Sequence, residues 1–209
     1  RRRNHSARAG ETNLLMRLNL ARTLARSAAN GPGDRFVIWV QGCPLACPGC
    51  WNPDTWSFQQ RNLRDTEELV AEILTIQGIE GVTFTGGEPF MQARALAAVG
   101  HAVRKAGLSV FVFTGYNLDE LTSDAARDLL SATDVLVSGR YIETARLQGS
   151  SWRSSSNQRV HFLSDRHNSV DMDCIPETEI RIAPDGQITL TGFPPDEFLL
   201  AERNPSPMS

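Results

Sequence analysis

Three cysteines constrain this chain more than any other feature. Cys43, Cys47 and Cys50 stand in Gln41-Gly-Cys-Pro-Leu-Ala-Cys-Pro-Gly-Cys-Trp-Asn52, directly after the apolar run Arg35-Phe-Val-Ile-Trp-Val-Gln41. A second landmark, Thr85-Gly-Gly-Glu-Pro89, follows further along. Three thiolates can hold three corners of a cubic iron-sulfur cluster and leave the fourth iron without a protein ligand, so that a small molecule can coordinate there. An open iron implies chemistry rather than electron storage. The competing reading is a structural zinc site, but zinc normally closes with four ligands, and Cys174 or His101 would have to come from far along the chain. His5, His101, His161 and His167 show no metal-ligand spacing and are read as ordinary.

Composition narrows the class. A chain of 209 residues with 41% hydrophobic residues can bury one sizeable core. The expectation is one domain over residues 13–193, between a flexible tail at 1–12 and a loose tail rich in Pro, Asp and Ser at 194–209. No apolar run approaches a membrane span, and a net charge of -3 gives no field that would favour nucleic acid or an anionic membrane. Arg1-Arg2-Arg3 is read as a solvated start, because no signal-peptide core follows it. Four cysteines, three of them clustered, suit a reducing, cytoplasmic compartment better than a disulfide framework. Cys174 is left over; one extra thiol cannot build a second cluster, and it reads as a minor structural or free thiol.

Leu14, Met16, Leu18, Leu20 and Leu24 fall on even positions, the period of a half-buried strand, with an amphipathic helix as the rival. Asn30-Gly-Pro-Gly33 breaks that pattern, and residues 35–41 read as a buried strand leading into the cysteine loop. After a loop rich in Trp, Asn and Pro, Asp65-Thr-Glu-Glu68 has the form of a capping box for a helix with Leu69, Ile73 and Ile76 on one face and Gly78 at its end. Strand 82–85, helix 92–106, strand 109–114, a helix capped by Asn117 with Glu120 three residues on, and strand 134–137 follow. Met91 is expected to pack. Past Trp152, a short strand over 160–163 and a hairpin of 179–183 with 187–191 around Asp185-Gly186 complete the chain. Alternating strands and helices predict an α/β fold with a mostly parallel sheet, either open and doubly wound or a partial β/α barrel, with a small C-terminal β-hairpin.

The cysteine spacing and the Gly-Gly-Glu-Pro strand end together resemble the radical S-adenosylmethionine (SAM) superfamily. A narrower resemblance covers most of residues 30–163. Asn30-Gly-Pro-Gly33, Gly42-Cys43, Cys47-Pro-Gly-Cys50-Trp-Asn52, Thr114-Gly-Tyr-Asn-Leu-Asp-Glu-Leu121, Val135-Leu-Val-Ser-Gly-Arg-Tyr141 and Trp152-Arg-Ser-Ser-Ser-Asn-Gln-Arg159 run in the order seen in activating proteins of the anaerobic ribonucleotide reductase. Gly49 before the third cysteine and Trp51 after it support that family. Ser138 and Ser154 depart from its usual Asp and Gly, and the segment from about Asp165 onward exceeds the compact activase.

The resemblance implies a partial barrel, one 4Fe-4S cluster on Cys43, Cys47 and Cys50, and SAM chelating the open iron through its amino and carboxylate groups. An external donor such as flavodoxin or ferredoxin would supply the electron that cleaves SAM to methionine and a 5'-deoxyadenosyl radical. Gly86, Gly87, Glu88 and Pro89 would hold the methionyl amino group, with Thr114 and Gly115 facing the ribose. Arg140 would bind the SAM carboxylate, with an ordinary surface arginine as the alternative. Ser138 shares that strand end, and Asn157 and Arg159, with Arg153 and Gln158, would form a lid or carboxylate contact. The hydrogen donor would be a glycine in a glycyl-radical enzyme; the alternative is a peptide or small molecule of a biosynthetic pathway, and a zinc module ranks last.

Overall fold

A computed structural model describes residues 16–147, 152–174, 176–182 and 185–193. The expected tails at 1–12 and 194–209, and the side chain of Cys174, lie outside what is described. Nine strands, three α-helices and five short 3-10 turns alternate along these residues: β1 (Arg17–Ser27), β2 (Arg35–Val40), β3 (Asn62–Asp65), α1 (Thr66–Thr75), β4 (Gly81–Gly86), α2 (Ala93–Lys105), β5 (Ser109–Thr114), α3 (Asp124–Ser131), β6 (Val135–Ser138), β7 (Arg159–Phe162), β8 (Thr178–Ile182) and β9 (Ile188–Gly192). The first seven strands form one sheet in the order β3-β1-β2-β4-β5-β6-β7, and β8 pairs only with β9. Strands β2, β4, β5 and β6 are mutually parallel, β1 and β7 run against their neighbours, and β3 runs against β1. Five of the seven strands therefore point the same way. The sheet is mostly parallel and open, with β3 and β7 as its edges.

Alternation within the strands divides the sheet into two faces. Phe36, Ile38 and Val40 of β2, Val82 and Phe84 of β4, Val110 and Val112 of β5 and Leu136 of β6 join Leu69 and Ile73 of α1, Leu96, Val99 and Val103 of α2 and Ala126 and Leu129 of α3 in one core. All three helices thus cover one face. Phe111, Val135 and Val137 point the other way, where Trp152 closes over Phe111 with ring centroids 5.0 Å apart and nearly perpendicular. Among the described residues no helix is long and apolar enough to cross a membrane.

Local chemistry accounts for the helix starts. The Asp65 carboxylate accepts from the amides of Glu67 (2.8 Å) and Glu68 (3.3 Å) at the first turn of α1. Asn117 and Glu120 do form a capping box, but it closes only the 3-10 turn Leu118–Glu120. The helix itself starts later, where the Ser123 hydroxyl caps the amide of Ala126. Leu121, with ψ at 63°, leaves helical geometry between the two. In β1 the even-numbered pattern holds for Leu18 and Leu20, both fully buried, and then slips where the pairing with β2 shifts register between Leu20 and Arg22. Strand β3, expected as loop, pairs along β1 from Arg17 to Leu20.

The helix-free face carries a buried arginine at the N-terminal end of the parallel strands. Arg35 is fully buried and donates to the Thr83 and Ser109 hydroxyls and to the carbonyls of Pro32, Val82 and Ser109, at 2.8–3.0 Å. This fork ties the Asn30–Gly33 turn to β4 and β5. Removing it leaves three buried carbonyls short of a donor, so Arg35→Ala should lower the unfolding free energy by about 3–5 kcal/mol in a urea titration. A loss below about 1 kcal/mol would mean that water replaces the fork.

Candidate functional site

The parallel strands deliver their C-terminal ends to one rim, where open α/β sheets carry their ligand crevices. Gly86 of β4 sits level with Val40 of β2, and Ser138 of β6 with Thr114 of β5. The cysteine loop leaves β2 there. A cleft of about 440 Å³ opens at this rim on the helix-free face, lined by Cys43, Cys47 and Cys50, by Thr85 to Glu88, by Thr114 and Gly115, and by Trp39, Trp51, Trp56, Phe113, Tyr141 and Phe193.

Backbone hydrogen bonds hold the cysteine loop to the strand ends. Gly42 and Cys43 donate to the carbonyls of Thr55 and Trp56, while Gly87 donates to Val40 (2.8 Å) and Glu88 to Gly42 (2.9 Å). Such close approach needs glycine. A Cβ on Gly87 would collide with the Gly42 carbonyl oxygen, and one on Gly86, whose φ is +94°, would meet the Cα of Trp39 at 2.7 Å. The Gly-Gly pair therefore does more than bare its carbonyls; it lets β4 lie against the start of the cysteine loop. Because the obstacle is backbone, Gly87→Ala should destabilise the protein by about 1–3 kcal/mol and reduce iron retention after reconstitution, read by denaturation and iron assay. Wild-type stability with wild-type iron content would refute the clasp.

Glu88 is almost wholly buried and completes the joint. One carboxylate oxygen accepts from the Phe90 amide (2.9 Å) and the Thr114 hydroxyl (2.8 Å), the other from the Gly115 amide (2.9 Å). It joins the ends of β4 and β5. Burial pushes its carboxyl up to about 7, against the opposing pull of those donors. A carboxyl raised from 4.5 on folding stabilises the fold fully below 4.5, and that contribution is lost as pH climbs through 7. Cluster-free protein should therefore lose about 2–3 kcal/mol between pH 5 and 7.5 that Glu88→Gln does not lose, measured by urea titration at both pH values. Parallel pH profiles for the two proteins would show that Glu88 keeps an ordinary pKa.

Three cysteines of one loop line the same cleft, a donor set that suits a cubane cluster. All three cysteines are free and half-buried. Among the described residues no three His, Cys, Asp or Glu side chains converge on a point where one metal ion could be held. Thiolates on separate irons of a cubane need no such convergence. Burial pushes the Cys43 and Cys47 thiols up, while the amides of Leu45 and Ala46 beside Cys43, and of Tyr141 beside Cys47, act in the opposite direction. The Asn52 amide donates to the Cys50 sulfur at 3.4 Å. Trp51 and Trp56 line the cleft, and their indole N–H groups are buried without a hydrogen-bond partner.

Four residues expected at the cofactor are not among those that line the cleft. Ser138 shares the helix-side direction of Leu136, and its hydroxyl meets His161 Nε2 at 2.9 Å. The Arg140 guanidinium forks onto Glu120 at 2.9 and 3.0 Å, holds that carboxyl down to about 2, and does not line the cleft. Asn157 donates to the Arg140 carbonyl, and Arg159 is exposed on β7 beside Ser138. Residues between them line the cleft instead: Gly139, and Gln158, whose side-chain oxygen accepts from Ser154 and Ser155 while its amide donates to the Gly139 carbonyl. Ser154, a departure from the family pattern, thus contributes its hydroxyl to this brace. Pro89 is buried in the turn after Glu88. Met91, expected to pack, is 46% exposed and accepts from the Tyr116 hydroxyl. Arg22, stacked on Trp39 across the β1–β2 pair, and the Phe193 wall, packed on Trp51 and Phe113, carried no signal in the sequence, because contacts between distant residues bring both to the cleft.

Residues 29–161 match the family described as 4Fe-4S single cluster domain. The chain is 35% identical over 143 residues to the anaerobic ribonucleoside-triphosphate reductase-activating protein of Salmonella typhi, a match covering 64% of this chain and 92% of that one. The chain belongs to this family. The protein of the same name from Vibrio cholerae serotype O1 is 36% identical over 142 residues, 63% of this chain and 90% of its own, and that of Enterobacteria phage T4 is 32% identical over 157 residues, 71% and 96%. Family membership supports the cluster reading of the three cysteines over zinc. The hairpin of β8 and β9 lies beyond the family match.

Proposed function

We propose that this protein is an activating enzyme that uses one 4Fe-4S cluster and SAM to generate a glycyl radical on an anaerobic ribonucleoside-triphosphate reductase. The observation that carries the reading is the joint between the two motifs: the loop of three free cysteines is fastened to Gly87 and Glu88 at the wall of a cleft on the helix-free face. The names of its relatives supply the class of partner.

When bound, the cluster and SAM supply a one-electron cleavage of the sulfonium and abstraction of a hydrogen atom. Cys43, Cys47 and Cys50 are the cluster ligands, and the nearby amides of Leu45, Ala46, Tyr141 and Asn52 offset negative charge on their sulfurs. Gly86 and Gly87 leave room for the methionyl amino group beside their backbone, while Glu88 orients that segment and Pro89 and Thr114 hold its flanks. Gly115 faces the ribose. Its bare Cα also accommodates Leu45 of the cysteine loop. Trp39, Trp51, Trp56, Phe113 and Phe193 keep water from the reacting atoms. Ser138, Arg140 and Asn157 brace the rim, through His161, Glu120 and the Arg140 carbonyl respectively. An external low-potential donor such as flavodoxin or ferredoxin, in a reducing compartment, completes the reaction.

Anaerobically reconstituted protein should bind about four irons and four sulfides per chain, and the triple Cys43, Cys47 and Cys50 to Ala variant should bind none. Mixed with reductant, SAM and the reductase, it should give a doublet electron paramagnetic resonance signal that collapses when the glycine α-hydrogens are deuterated. Zinc without sulfide would end the radical reading. Consumption of SAM with a modified peptide or metabolite, and no persistent protein radical, would move the protein to a biosynthetic role.

A further inference from the structure

The C-terminal hairpin presents its polar side to the domain and its apolar side to solvent. Pairing of Ile180 with Leu190 and of Ile182 with Ile188 puts these four side chains on one face, while Glu179, Arg181, Thr189 and Thr191 take the other. The polar face is the anchored one. Glu179 accepts from the Ser27 hydroxyl (2.6 Å) and the Ala28 amide (3.1 Å), and Thr191 accepts from the Asn30 side-chain amide (2.7 Å). Turning the hairpin over would break all three bonds. Ile180, Ile182 and Ile188 are left 50%, 72% and 66% exposed. A bare apolar strand face invites aggregation, and proteins usually interrupt it with charge. Here Glu179 and Arg181 take the opposite face and pair with each other, so neither charge interrupts the apolar one.

Its position selects an occupant. Leu190 belongs to this face and also lines the cleft, as do Thr191, Gly192 and Phe193 after it. The Phe193 ring meets Trp51 and Phe113 edge-on, both at 6.1 Å, and Trp51 directly follows Cys50. The apolar strip is therefore continuous with the wall of the cleft. A small ligand in the cleft has no use for the Ile182–Ile188 pair at the turn end of the hairpin, whereas a macromolecule whose loop enters the cleft passes over it. We infer that the outward face formed by Ile180, Ile182, Ile188 and Leu190 is the docking surface for the protein whose glycine enters the cleft, a partner with an apolar strip flanking its glycine loop. This assignment rests on the activating function proposed above and adds to it a surface outside the family match.

The test uses the reconstituted full chain, its Ile182→Thr/Ile188→Thr variant, and as probe the purified anaerobic ribonucleoside-triphosphate reductase encoded in the same genome. Threonine keeps the β-branch that favours strands. Glycyl radical formation is followed by electron paramagnetic resonance against reductase concentration, beside SAM cleavage without the reductase. The expected result is a KM for the reductase raised about tenfold, with kcat at saturation and partner-free cleavage at wild-type values. Should the double variant melt early, Ile182→Thr alone is read the same way. An unchanged KM overturns the docking surface and leaves the activating function standing; failure of the wild-type protein to make any glycyl radical removes both. A fall in kcat and in partner-free cleavage would tie the hairpin to the cleft chemistry instead. Loss of a wild-type dimer in sedimentation, with unchanged KM, would give the face to a second copy of the chain.

Discussion

The joint between β2 and β4 is the constraint on which the site depends. Two backbone hydrogen bonds, Gly87 to Val40 and Glu88 to Gly42, bind the start of the cysteine loop to the end of the neighbouring parallel strand. Each contributes only about 1 kcal/mol net, but a buried amide deprived of its partner would cost more, so the pair acts chiefly by excluding other arrangements. Glu88 extends the joint to β5 through Thr114 and Gly115. Three strand ends and the cysteine loop thus become one rigid rim, the support that a reactive centre needs.

The unequal faces of the sheet explain why the cleft lies where it does. One face is committed to α1, α2 and α3. On the other, Arg35, Phe111 and Trp152 fill the end where the parallel strands begin, which leaves room only where they finish. Aromatic side chains wall that space, and the hairpin adds Phe193 to them. A cleft open to solvent on that side is the consequence of helices packing on one face alone.

Much of the fold was legible in the sequence. Strand β5 falls on its expected residues, and β2, β4 and β6 lie within a residue of theirs at each end, because buried strands are short apolar runs bounded by turn residues; the edge strand β7 also lies within a residue of its expected range. The hairpin about Asp185-Gly186 and the Asp65 cap were legible for the same local reason. Asn117 misled, since a capping box stabilises a first turn whether or not a helix follows it. Strand β3 left no signal, as its four residues are strand only by pairing with β1.

The site divides along the same line. Residue type and spacing alone determined the three thiols and the Gly-Gly-Glu-Pro turn, because ligand chemistry and left-handed or crowded backbone admit few substitutes. Tertiary structure decided which neighbours face the cleft. A strand reverses its side chains at every residue, so Ser138 turns to the helix side and Gly139 to the cleft. Arg140 was available to any carboxylate by its chemistry, and only the fold brought Glu120 within its fork. Nor does the alternation of Ile180, Ile182, Ile188 and Leu190 say which side of a hairpin faces inward; bonds from Ser27, Ala28 and Asn30, distant in sequence, decide that.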